Sequence, residues 1–155
     1  MKKTNAMRLL DAAGVSYEEF EYDTSKGISG TDVAKTLNED VNMVFKTLVT
    51  ESNKGEHYVF IVPVAKELDL KKAAKAAGAK KIDMLKQKDL LPLTGYVHGG
   101  CSPIGMKTKL ATFIDQSAME HEKIYVSGGK VGLQIKISPS DLLKVTDAAP
   151  IDIVK

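Results

Sequence analysis

One domain of the α+β class is what this 155-residue sequence predicts. Three observations carry that expectation. Two runs rich in β-branched and aromatic residues, Val44 to Glu51 and Tyr58 to Val64, flank the turn residues Ser52-Asn53-Lys54-Gly55, which is the signature of an antiparallel hairpin. Helix-start residues recur at Thr4, Ser29, Asp69 and Ser138, each just ahead of a helical pattern. The spacings between strand-like runs are short, which favours a mixed or antiparallel sheet over regular βαβ alternation.

Taken in order, Thr4 or Asn5 caps a first helix whose apolar residues Ala6, Leu9, Leu10 and Ala13 share a face, and Gly14 stops it. Val15 to Tyr22 reads as a strand and 23–30 as a turn region. Ser29 with Asp32 resembles a capping box for a short helix through Leu37. After the hairpin, Asp69 opens a helix that ends near Gly78. A second helical stretch is expected from Asp83 to Leu90, stopped by Pro92 and Gly95. Further strands are expected at Tyr96 to His98, Ala111 to Ile114, Ile124 to Val126 and Val131 to Ile137. Ser138-Pro139 then starts a last helix, with Ser as cap and Pro in the first turn. No repeat or linker divides 1–155.

Composition removes several classes of function. Cys101 is the single cysteine, so neither an internal disulfide nor a thiolate metal site is available within one chain. No metal and no cofactor is expected. The first residues lack the apolar run of a secretory leader, and no stretch approaches the roughly 20 apolar residues that span a bilayer, so a cytoplasmic, membrane-free protein is expected. The net charge of +2 is too small to signal sequence-independent nucleic-acid binding, although lysines cluster at 71, 72 and 75, at 80 and 81, and at 107 and 109.

Chemistry concentrates in two glycine loops, Gly99-Gly100-Cys101-Ser102-Pro103-Ile104-Gly105 and Ser127-Gly128-Gly129-Lys130. Paired glycines let backbone N–H groups approach a carbonyl oxygen, an oxyanion or a phosphate, though they also serve as plain turns. Met106 separates Gly105 from Lys107, which breaks a P-loop and argues against an NTPase. His57, His98 and His121 lack metal-binding spacing. Cys101, close to His98 in sequence, is a candidate nucleophile, weighed against the commoner role of a small semi-buried thiol. Lys46 interrupts the apolar run Val44-Phe45-Lys46-Thr47-Leu48-Val49; it points either to solvent or into a cleft, where it would anchor phosphate or ribose oxygens.

Four segments together, Val44-Phe45-Lys46-Thr47-Leu48, Leu68-Asp69-Leu70-Lys71-Lys72, Gly99 to Gly105 and Tyr125-Val126-Ser127-Gly128-Gly129-Lys130, resemble the YbaK/EbsC family of free-standing editing domains related to the one inserted in some prolyl-tRNA synthetases. The resemblance spans nearly the whole chain and implies a mixed, largely antiparallel barrel-like sheet surrounded by helices. It implies a deacylase that removes cysteine from Cys-tRNA(Pro), with aminoacylated tRNA as substrate and prolyl-tRNA synthetase as partner. A sister branch acts on Ala-tRNA(Pro), and a non-catalytic module that binds tRNA or the synthetase is the more distant alternative. Carried over by position, Lys46 is the essential lysine and Tyr22 lines the pocket. Gly99 and Gly100 contact the aminoacyl ester, and Cys101 and Ser102 are further substrate-binding positions of that loop. Ser127, Gly128 and Gly129 form the facing loop. Gln134 stands where some members carry aspartate, so no general base is assigned there. The resemblance implies substrate-assisted cleavage, in which the cysteine thiol attacks its own ester and leaves as a thiolactone.

Overall fold

The structure, a computed structural model, describes residues 3–27 and 29–155. Ile28, in the expected turn region 23–30, lies outside the described residues. The chain opens with helix α1 (Asn5–Ala13), whose N-cap Thr4 accepts from Met7 N–H and whose C-cap Gly14 is left-handed. Strand β1 (Glu18–Glu21) and helix α2 (Gly30–Thr36) follow. Ser29 Oγ caps α2 by accepting from Asp32 N–H at 3.2 Å while its hydroxyl donates to Asp32 Oδ2 at 2.7 Å. The hairpin is present as β2 (Phe45–Ser52) and β3 (His57–Pro63), antiparallel with Lys46 opposite Val62 and Leu48 opposite Phe60. Helix α3 (Leu70–Ala77) is capped by Asp69, and Gly78 closes it in the left-handed conformation.

The segment after α3 departs from expectation. Ile82–Met84 form a short strand, β4, paired with Thr50–Ser52, and helix α4 begins only at Gln87 and runs through Thr94. Burial of Ile82 against the sheet outweighs the helical pattern of the flanking residues. Pro92 sits inside α4 rather than ending it. In so short a helix its missing N–H deprives only one carbonyl of a donor, on an exposed face, and Gly95 provides the stop. Tyr96 to His98 are not a strand; the chain there turns, held by the Tyr96 hydroxyl donating to Ile104 C=O at 2.6 Å in the interior.

Strands β5 (Ala111–Asp115), β6 (Ile124–Ser127) and β7 (Leu133–Ile137) match three expected runs, and α5 (Pro139–Thr146) starts at the Ser138 cap. A last strand, β8 (Ala149–Ile151), was not foreshadowed, because Pro150 disguises it; at a sheet edge the missing N–H costs no ladder bond.

The strands form two sheets, β1-β7-β6 and β4-β2-β3-β5-β8, rather than one closed barrel. The five-stranded sheet is mixed, since β3, β5 and β8 run parallel. A single parallel bridge, Val44 to Tyr125, ties the sheets together. The main core lies between them and under α1 and α5, built from Leu10, Phe45, Ile61, Ile114, Ile124, Leu133, Ile135 and Leu142. Phe60, Val62, Ala73 and Ala74 fill the opposite face of the five-stranded sheet, beneath α3. Among the described residues no helix is long and apolar enough to cross a membrane.

Candidate functional site

The two sheets part where β2 leaves β6 and has not yet met β4. The Val44 bridge to Tyr125 marks one end of this gap, and Leu85 N–H donating to Val49 C=O at 3.0 Å marks the other. Between them the edge of β2 borders a cavity of about 350 Å³ instead of a strand. Tyr22, Ser29, Gly30 and Val33 form one wall, and Leu85, Gln87, Leu90, His98 and Gly99 form the other. Ser127, Gln134 and Cys101 complete the lining.

Of the residues expected from sequence, Tyr22, Lys46, Gly99, Cys101 and Ser127 meet in this cavity. Lys46 is half-buried there and makes no ion pair among the described residues, so its charge is available to a ligand. Gly100, Ser102, Gly128 and Gly129 lie behind the lining. A Cβ on Gly100 would stand 2.7 Å from Val131 N, so glycine is what lets the two loops pack backbone to backbone. Gly128 packs against the Leu133 side chain, and Gly129 against the side chains of Tyr96 and Thr4. Ser102 is fully buried and its hydroxyl accepts from Ile104 N–H at 3.2 Å.

One expected role changes as a result. Gly100 N–H is already committed to Val97 C=O at 3.0 Å, so it is not an oxyanion donor. Gly99, whose φ of 83° turns the loop, keeps an N–H without a partner among the described residues, as does Cys101. The Cys101 thiol is not poised as a nucleophile. Burial pushes its pKa up to about 11, only partly offset by the Thr94 hydroxyl, and no histidine bonds to it.

Sequence reasoning gave no role to two groups the structure brings forward. Thr47 Oγ1 and Gln134 Oε1 are buried without a hydrogen-bond partner, and both residues line the cavity. A buried polar oxygen left unmet costs about 1 to 3 kcal/mol, so a ligand that bonds to these two would gain by it. Position 47 gave no signal in the sequence because threonine is an ordinary strand residue.

Among the described residues the cavity thus brings together a lysine, two buried oxygens without partners and two loop amides without partners. The family follows from comparison with known proteins: the chain belongs to the aminoacyl-tRNA editing domain family, whose model matches residues 28–145. It is 46% identical over 147 residues, 94% of this chain and 90% of the relative, to an Enterococcus faecalis protein provisionally named Cys-tRNA(Pro)/Cys-tRNA(Cys) deacylase EbsC. Among solved structures it resembles one described provisionally as a trans-editing enzyme for prolyl-tRNA synthetase, at 25% identity and TM-score 0.88 over 100% of this chain and 99% of that one. A hypothetical protein shares the fold at TM-score 0.90 and 22% identity, over 98% of this chain and 100% of that one.

Proposed function

We propose that this protein is a deacylase that removes cysteine from misacylated Cys-tRNA(Pro), and that residues 1–155 act as one editing unit. The observation that carries the reading is the cavity itself: it offers Lys46, Thr47, Gln134 and loop amides for binding, and no activated nucleophile. Chemistry must then come from the substrate.

The cysteinyl ester supplies it. Its thiol, with an ordinary pKa near 8.5, is a few per cent thiolate at neutral pH, and fixing it against the ester carbonyl is worth roughly 7 to 11 kcal/mol through orientation. Sulfur bonds to the carbonyl carbon, the carbon–oxygen bond to the ribose breaks, and the thiol proton ends on the departing ribose hydroxyl. The products are a thiolactone, later opened by water, and deacylated tRNA. Lys46 holds phosphate or ribose oxygens of the terminal nucleotide, Gly99 N–H faces the developing oxyanion, and Thr47 and Gln134 accept from the amino group of the aminoacyl moiety. Alanine and proline have no thiol, so the correct Pro-tRNA(Pro) survives. A pocket that grips only the aminoacyl end does not read the anticodon; recruitment by prolyl-tRNA synthetase in the cytoplasm would supply that selectivity, and Cys-tRNA(Cys) is cleaved without it.

The test is release of labelled amino acid from Cys-tRNA(Pro), Ala-tRNA(Pro) and Pro-tRNA(Pro) by the purified protein. Loss of cysteine alone is expected. Preferential loss of alanine would place the chain with the sister branch, and binding without turnover would make it a non-catalytic module.

A further inference from the structure

The mouth of the cavity is electrically lopsided. The chain carries 20 acidic residues, yet none falls in 90–114 or 123–140, the stretches that bring His98, Gly99, Cys101, Ser127 and Gln134 to the cavity. The segments of the opposite wall, around Tyr22 and Ser29, carry Glu18, Glu19, Glu21, Asp23 and Asp32 against Lys26 and Lys35, a net acidic stretch. On the α4 side, where the β4–α4 stretch contributes Asp83, paired with Lys81, and Asp89, four further lysines are exposed. Lys86 and Lys88 flank the lining residue Gln87 at the start of α4; Lys107 N–H bonds Thr94 C=O at the end of α4; Lys130 packs its backbone on Gly100. None of the four makes an ion pair among the described residues.

Apolar surface collects on the same wall. Of the six large hydrophobic residues that stay exposed among the described residues, Met84, Leu91 and Val97 sit here, at 48%, 53% and 48% exposure, beside the exposed ring of His98. Unpaired cations around apolar side chains and a flat ring suit a chain of phosphates carrying unstacked bases, and a repelling acidic rim opposite gives that chain one exit.

We infer that the α4 wall, with Lys86, Lys88, Lys107 and Lys130 on phosphates and Met84, Leu91, Val97 and His98 under bases, is the track for the single-stranded 3′ end of the aminoacylated tRNA. The inference rests on the deacylase reading. It also sets the α4 lysines apart from the cluster at 71, 72 and 75, because Lys71 and Lys75 of α3 lie over the other face of the five-stranded sheet.

The experiment compares two substrates, Cys-tRNA(Pro) and the cysteinyl ester of adenosine, across the unaltered protein, the double variant Lys86→Glu/Lys88→Glu and the double variant Lys71→Glu/Lys75→Glu. The α4 variant should raise KM for the tRNA by about tenfold or more and flatten its salt dependence by about one unit of log–log slope, with cleavage of the adenosine ester kept within about twofold. The α3 variant should match the unaltered protein on both substrates. An unchanged KM for the α4 variant together with a raised one for the α3 variant overturns the track. An effect of the α4 variant seen only after prolyl-tRNA synthetase is added would make this wall a protein-docking face, which also overturns it. If the unaltered protein cleaves neither substrate, the deacylase reading itself has failed and the track falls with it.

Discussion

Two hollows of similar size can be compared in this molecule. The cavity beside β2 contains one lysine and few other ionisable groups. The other hollow, about 290 Å³ and lined by Asp40, Asn42, Lys66, Asp115, Ser117, Glu120 and His121 among others, is crowded with them. By count of reactive side chains this polar hollow has more of the character of an active site. Hydrogen bonding reverses that ranking. Asp115, its one deeply buried carboxylate, is saturated: it accepts from Ser117 N–H and Oγ at 3.2 and 2.5 Å, and from Ile153 N–H at 3.3 Å. It ties the turn after β5 to the C-terminal segment. The cavity beside β2 instead holds two buried acceptors without partners. Unmet capacity, rather than charge density, is what makes the cavity beside β2 the better candidate for a ligand site.

That contrast breaks most visibly at Lys46. Replacing it with alanine should lower deacylation of Cys-tRNA(Pro) by about 100-fold or more, equivalent to about 2.7 kcal/mol of transition-state stabilisation, while the midpoint of thermal unfolding stays within a few degrees. Activity and unfolding measured on one preparation check it. Asp115→Ala should do the opposite. It strands three donors, so chemical denaturation should show a loss of about 1 to 3 kcal/mol, with kcat of the folded fraction unaltered.

A sharper version uses Thr47→Val, which keeps shape and removes the unmet hydroxyl. Its stability should be unchanged or up to about 1 kcal/mol higher, and its kcat/KM about tenfold lower. Paired urea unfolding and kinetics decide it, and a valine variant that is both less stable and fully active contradicts the assignment.

The smallest effects belong to Cys101. Cys101→Ser should retain most activity, as steady-state kinetics would show. Because burial raises the folded thiol from 9.0 to about 11, its contribution to stability is complete below pH 9 and is lost as pH rises from 9 to 11. Cys101→Ser should therefore flatten the stability profile over that window and nowhere else.

Much of this was legible in the sequence where the determinants are local. Thr4, Ser29, Asp69 and Ser138 cap the helices they announce, and Ser52 to Gly55 turn the hairpin. Where tertiary pairing decides, local signals failed. Ile82–Met84 became a strand because the edge of β2 was there to receive it, Tyr96 to His98 lost a strand because a buried hydroxyl bond holds them as a turn, and β8 pairs through an edge that tolerates Pro150. The site divides likewise. Lys46, Tyr22, Gly99, Cys101 and Ser127 line one cavity, whereas Gly100, Gly128 and Gly129 pack behind it, Gly100 against the Lys130–Val131 backbone. An unpaired Thr47 hydroxyl is a property of three-dimensional surroundings, and no pattern along the chain encodes it.

In the proposed reaction the protein orients and the substrate reacts, and deacylation of tRNA(Pro) carrying 2-aminobutyrate, in which a methyl group replaces the thiol with nearly the same shape, tests this most directly. This ester should bind competitively with Cys-tRNA(Pro) and stay uncleaved; cleavage at a rate comparable to the cysteinyl ester would show that water or a protein group, and not the substrate's own thiol, attacks the carbonyl.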